Sequence, residues 1–208
     1  MIILSHRGYW LEPSEKNTEL AFKRSFTLGY GTETDVRDYA GTLVISHDPP
    51  VGGELTLDAF LQLDDTDLPL ALNIKSDGLA EPIADAMRAA GRTNWFVFDM
   101  SVPDTRAQLA AGNPMYTRLS EYETTPALLD HAAGVWCDAF TSDEERIAPI
   151  RHLANTGHRV CVVSPELHGR PHEPFWAALR EAGLSASEHV SLCTDLPEVA
   201  TAFFRSEP

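Results

Sequence analysis

The stretch Gly31–Asp48, GTETDVRDYAGTLVISHD, decides how the chain is read. It starts like a strand yet carries Glu33 and Asp35 two residues apart, and carboxylates are depleted from strands. Strand alternation puts both on one face. Beyond Val36 the segment runs on through Ile45 to Ser46-His47, which reads as a hairpin grafted onto the strand end. A three-residue loop Tyr39-Ala40-Gly41, with Gly41 left-handed, pairs Asp38 with Thr42 and brings His47 opposite Glu33. A strict two-residue turn pairs His47 with Thr34 and points it away. We expect the first register, which gathers two carboxylates and an imidazole at one strand end.

Similar short, β-rich runs recur along the chain: Ile2–Ser5, Thr32–Val36, Leu70–Ile74, Trp95–Phe98, Met115–Arg118, Val135–Asp138, Val160–Val163 and Ser191–Cys193. Helix-like patterns alternate with them: Thr18–Leu28, Leu57–Leu63, Leu79–Ala90, Asp104–Ala111, Pro126–Ala132, Glu144–Thr156, Pro174–Ala182 and Pro197–Phe204. Asn17, Thr56 and Ser142 stand as N-caps, and Ser142-x-x-Glu145 reads as a capping box. Eight alternating units predict an α/β protein of the (β/α)8 TIM-barrel class rather than an open doubly wound sheet. The hairpin after the second strand then sits on the barrel rim. Only the 25 residues 48–72 separate His47 from Asn73, and the helix 57–63 takes part of them, so little or no capping insertion is expected. With no linker or low-complexity tract, residues 1–208 read as one domain, within the roughly 250 residues a single core reaches.

Acidic residues outnumber basic ones 31 to 16, for a net charge of -15, which disfavours nucleic acid and anionic membrane surfaces as partners. A phosphate-bearing ligand must be captured locally. No apolar run approaches the roughly 18 residues of a membrane span. Met1-Ile2-Ile3-Leu4 lacks the basic flank of a signal peptide and reads as a first buried strand of a cytoplasmic protein. Cys137, Cys161 and Cys193 lie in apolar segments without C-x-x-C spacing, as reduced core thiols do.

Barrel active sites lie at the C-terminal ends of the strands. There the first strand ends in Ser5-His6-Arg7-Gly8, the second carries Glu33 and Asp35, and the third ends in Asn73-Ile74-Lys75. Two carboxylates with an amide oxygen suit a hard cation such as Mg²⁺ or Ca²⁺ rather than zinc. Arg7 and Lys75 suit phosphate, as a planar fork and a point charge. His6 and His47 suit general acid and base work near neutral pH. Metal-assisted cleavage of a small phosphodiester uses every member of the set.

The motifs His6-Arg7-Gly8, Asn17-Thr18-Glu19-Leu20-Ala21-Phe22, Glu33-Thr34-Asp35-Val36, Ser46-His47-Asp48 and Lys75 resemble those of the glycerophosphodiester phosphodiesterase family, within the phosphatidylinositol-phospholipase-C-like barrels. The resemblance implies a TIM-barrel phosphoric diester hydrolase of lipid metabolism that needs a divalent cation, Mg²⁺, Ca²⁺ or Mn²⁺. It implies acid/base roles for His6 and His47, metal ligation by Glu33 and Asp35, and phosphate contact by Arg7. Three departures stand out. Asn73 occupies the place of a glutamate ligand, the cap is reduced, and Glu15-Lys16-Asn17-Thr18 replaces P-E-N-T. Alternatives are a phospholyase releasing a cyclic phosphate and a barrel that binds a phosphate ligand without catalysis.

Arg118, Asp138 and Asp195 lie at other expected strand ends, where loops set specificity. The segment Ser164–His172, with Glu166, His168, Arg170 and His172, reads as a specificity loop rather than a second metal site, because Pro171 keeps the two histidines off one helical face. Tyr9 and Trp10 line the pocket mouth or cover the barrel top.

Overall fold

The computed structural model describes residues 1–64 and 66–205. The chain has the (β/α)8 TIM-barrel fold, with one additional strand forming a hairpin on the second. It divides into two compact units, residues 5–115 and residues 1–4 with 116–208.

In the first unit β1 (Ile2–His6) ends beside β2 (Gly31–Tyr39), which pairs with β4 (Leu70–Ile74), which pairs with β5 (Trp95–Phe98). The β2–β4 register matches Glu33 with Ala71 and Asp35 with Asn73, so Glu33, Asp35 and Asn73 share one face. The helices are α1 (Glu19–Thr27), α2 (Leu57–Leu61), α3 (Ala80–Ala89) and α4 (Val102–Ala110). Thr56 caps α2 as expected, its hydroxyl accepting from Ala59 N at 3.1 Å. The cap of α1 is Thr18, not Asn17: Thr18 Oγ1 accepts from Ala21 N, and Asn17 lies one residue outside at φ 60°. Buried Phe22 of α1 meets Phe60 of α2 edge-on at 4.6 Å, closing this part of the core. Among the described residues α2 is the one helix between β3 (Thr42–Ile45) and β4, so the capping insertion is small, as expected.

The hairpin corrects the expected register. Tyr39 pairs with Thr42 and Val36 with Ile45, leaving the two-residue turn Ala40-Gly41 at φ 49° and 82°. Two successive left-handed residues make the primed turn that suits strand twist. Alanine in that region costs roughly 1–2 kcal/mol, and this local strain hides the turn from a reading of the sequence.

In the second unit β6 (Tyr116–Leu119), β7 (Gly134–Cys137), β8 (Arg159–Val163) and β9 (Val190–Thr194) pair in parallel in chain order, with α5 (Ile147–Asn155), α6 (Glu173–Glu181) and α7 (Pro197–Arg205). Two helix expectations are corrected here. Pro126–Ala132 yields only a 3-10 turn, Leu129–His131, preceded by Leu128 at φ 56°. Helix α5 begins at Ile147 rather than 144, so Ser142 and Glu145 form no capping box. Among the described residues no helix is long and apolar enough to cross a membrane.

Candidate active site

The loop after β1 builds the site. Arg7 and Gly8 stand at φ 58° and 79°, two left-handed residues that turn the chain sharply off the strand. Gly8 is required twice over, because a Cβ there would meet Ala21 Cβ at 2.7 Å as well as strain the backbone. The turn lets Arg7 N donate to Glu33 O at 3.0 Å and to Glu33 Oε2 at 3.2 Å. It also lets Asn17 N reach Arg7 O at 2.9 Å, which folds the loop back over β2.

Glu33 and Asp35 are almost wholly buried, 2% and 0% exposed. Around Asp35, Asn17 Nδ2 donates to Oδ2 at 2.8 Å and Arg7 Nε lies 3.0 Å from the same oxygen. Lys75 Nζ lies 3.4 Å from Oδ1 and 3.6 Å from Asp99 Oδ2. Neither cation is aligned for a hydrogen bond to Asp35, as Arg7 Nε and Asp35 Oδ1 lack bonded partners, so both contacts are ionic. His6 Nε2 stands 3.9 Å from Glu33 Oε2. Burial first and the Asp35 charge second push the Glu33 carboxyl up to about 7, against the pull of His6, Arg7 and Lys75.

Asn73 Oδ1 is buried without a hydrogen-bond partner, as is Asp35 Oδ1 on the paired position of β2. A buried acceptor without a hydrogen bond costs about 1–3 kcal/mol, and these two oxygens at matched positions, that of Asp35 in ionic contact with Lys75 at 3.4 Å, can both accept a further electrophile. Two carboxylates and an amide oxygen fit a hard divalent cation. Among the described residues no three His, Cys, Asp or Glu side chains are grouped to hold a metal ion, and Asn73 is an amide outside that set.

His47 stands apart from this cluster in its contacts. Its side chain is 45% exposed, its Nδ1 lies 2.8 Å from Asp48 Oδ1, and its carbonyl accepts from Arg37 Nε at 3.0 Å. The two-residue turn is the cause, since the hairpin register continued past Ser46 sets His47 level with Thr34. The expected convergence of His47 with Glu33 through strand pairing is therefore replaced by a position beyond the strand.

Two site residues escape the sequence reading. Asn17 reads as a cap but binds Asp35, and Asp99, at the end of β5 with φ 70°, shares Lys75. The signal for Asp99 is a carboxylate directly after the apolar run Trp95–Phe98. Tyr9 and Trp10 lie under cations, Arg24 at 6.0 Å and Lys16 at 4.3 Å.

In the second unit Arg118 pairs with Glu123 at 2.7 Å, Asp138 with His168 at 2.8 Å, and Asp195 N donates to Glu166 at 3.2 Å. His168 and His172 serve separate contacts, the latter's ring tilted against Trp176 at 4.1 Å.

No protein-family profile matches the chain, and no curated protein matches it. Solved structures do. A glycerophosphodiester phosphodiesterase from Agrobacterium tumefaciens str. C58 superposes with a TM-score of 0.74 at 20% identity, over 99% of this chain and 100% of that one. A glycerophosphoryl diester phosphodiesterase from Parabacteroides distasonis ATCC 8503 gives 0.72 at 12% identity, over 97% of this chain and 85% of that one. At such identities the likeness is one of fold.

Proposed function

We propose that this single-domain chain is a divalent-cation-assisted phosphodiesterase hydrolysing a small, polar, glycerophosphodiester-like substrate. The observation that carries this reading is the buried Glu33–Asp35 pair, flanked by Arg7 and Lys75, with oxygens on Asp35 and Asn73 that accept no hydrogen bond. The two structural neighbours, a glycerophosphodiester phosphodiesterase and a glycerophosphoryl diester phosphodiesterase, support it.

Glu33, Asp35 and Asn73 would hold Mg²⁺, Ca²⁺ or Mn²⁺. Such an ion, when bound, supplies a Lewis acid for a phosphoryl oxygen and a lowered pKa for the attacking water. Arg7 and Lys75 already sit in ionic contact with Asp35, and their remaining N–H groups stabilise charge building on the phosphoryl oxygens. His6 and His47 divide the proton transfers. One takes the proton from water as the new P–O bond forms, and the other protonates the alcohol oxygen as the old P–O bond breaks, giving a phosphomonoester and an alcohol. The Asp48 carboxylate can only accept from His47 Nδ1, so Nδ1 carries a proton and Nε2 is left for the reaction. The free, buried cysteines support a reducing, cytoplasmic setting, and the net charge of -15 supports a small molecule rather than nucleic acid as partner.

Phosphorus NMR on a panel of glycerophosphodiesters and lysophospholipids tests this directly. We expect a phosphomonoester, with turnover falling about 10²–10⁴-fold in His6→Ala and in His47→Ala. Near-wild-type turnover in either variant contradicts the assigned roles. A cyclic phosphate product replaces hydrolysis with a phospholyase reaction, and binding without product replaces it with ligand capture.

A further inference from the structure

We propose that Asn17 is a positioning residue that turns the Asp35 carboxylate, committing Oδ2 to the protein and presenting Oδ1, beside Asn73 Oδ1, to a divalent cation. The inference rests on the cation-assisted reading above and deepens it.

The two oxygens of Asp35 are treated unequally. Oδ2 accepts the 2.8 Å hydrogen bond from Asn17 and faces Arg7 Nε at 3.0 Å, whereas Oδ1 has only the unaligned Lys75 contact at 3.4 Å. Asn17 itself is held at both ends of its amide. Thr34 Oγ1 donates to Asn17 Oδ1 at 2.9 Å, so Nδ2 must face Asp35, which as a carboxylate only accepts. Thr34 is fully buried between the two metal-site carboxylates in sequence, and its side chain points to the opposite face of β2 from theirs. The Asn17 amide thus reaches round the strand and ties both faces together.

The backbone narrows the choice of residue. At φ 60° Asn17 occupies the left-handed region, which asparagine, aspartate and glycine tolerate best. Glycine offers no side-chain donor, and aspartate would set a second carboxylate against Asp35. Asparagine alone of the three meets the backbone, donates to Asp35 and accepts from Thr34. Partners that orient a ligating carboxylate in this way typically govern metal affinity by about 10–100-fold.

The test is calorimetric titration of Mn²⁺, without substrate, into the wild-type chain, Asn17→Gly and Thr34→Val, with thermal melting of each alongside. Glycine keeps the left-handed backbone and removes only the amide, so its melting temperature should stay within a few degrees of wild type while Mn²⁺ affinity falls about 10–100-fold. Thr34→Val keeps volume and frees the amide to flip, with a smaller loss of affinity in the same direction; it carries the test if the glycine variant fails to fold. Wild-type affinity in the folded variants overturns the role of Asn17 and leaves the cation-assisted reading standing. A wild-type chain that takes up no Mn²⁺ overturns both.

Discussion

Glu33 and Asp35 within β2, and Asp138 and Asp143 after β7, are both carboxylate pairs set among arginine and histidine, yet the protein satisfies them differently. Asp138 accepts from His168 at 2.8 Å, and Asp143 holds Arg146 at 2.6 Å on one oxygen and Arg170 on the other. The Arg146 fork also ties the carbonyls of Cys137 and Val163, each at 2.8 Å. Nearby Glu121, which desolvation would raise, is instead held down at about 2 by bonds from its own backbone, Thr141 and Phe140. Among the buried side-chain atoms of the described residues there, those without a hydrogen bond are the Arg146 and Arg170 Nε atoms, on guanidinium groups whose terminal nitrogens are all bonded. In the β2 cluster the unbonded atoms include acceptor oxygens, and one carboxyl is pushed up rather than down. Saturated charge of the first kind fastens loops. Unsaturated charge of the second kind is a standing cost to the fold, and under the proposed reading a bound cation offsets it.

Substitution separates the two kinds. Glu33→Gln should lower turnover about 10²–10³-fold while raising the melting temperature of the metal-free chain at pH 7.5, because it removes a buried charge beside Asp35. A loss of both activity and stability would make Glu33 a structural carboxylate like Asp143. Asp143→Asn should do the reverse, costing about 2–4 kcal/mol in denaturant unfolding by leaving Arg146 and Arg170 under-compensated, with turnover per folded molecule within about twofold of wild type.

The pH response sharpens the contrast. A carboxyl whose folded pKa lies above its unfolded value binds the proton more tightly when folded, so Glu33 favours folding at low pH and loses that advantage as pH rises from about 4.5 through about 7. Metal-free thermal stability should therefore carry a component that declines over this window by about 1–3 kcal/mol, and Glu33→Gln should remove it. The smallest effect expected is from Asn73→Glu, which adds a third carboxylate and should tighten Mn²⁺ binding about tenfold by calorimetry. Unchanged affinity would place position 73 outside the ligand set.

The strand–helix alternation was open to reading from sequence because each strand is a short apolar run between helix patterns, and because Thr56 caps where its position says it should. Several of the losses share a cause in left-handed backbone at residues other than glycine. Ala40 conceals a two-residue turn and with it the placement of His47, and Leu128 interrupts what resembles a helix. Asn17 looks like a cap because its type suits one, whereas Thr18 caps and Asn17 is diverted to Asp35. Arg7, Glu33, Asp35 and Lys75 were within reach because strand ends and the period of two suffice to bring them together. The saturated state of the second cluster was not, since pairings such as Asp138 with His168 join residues 30 apart through loop conformation.

The central claim is that the β2 carboxylates serve a cation that serves phosphodiester hydrolysis. Its most direct test follows glycerophosphodiester turnover by phosphorus NMR with Mg²⁺, Ca²⁺ or Mn²⁺, again after chelation, in the wild-type chain beside Asp35→Asn. We expect phosphomonoester from the wild type with at least one of these ions, and turnover at least about 100-fold slower after chelation or in Asp35→Asn. Turnover that is indifferent to chelator and to the loss of the Asp35 charge would contradict the account.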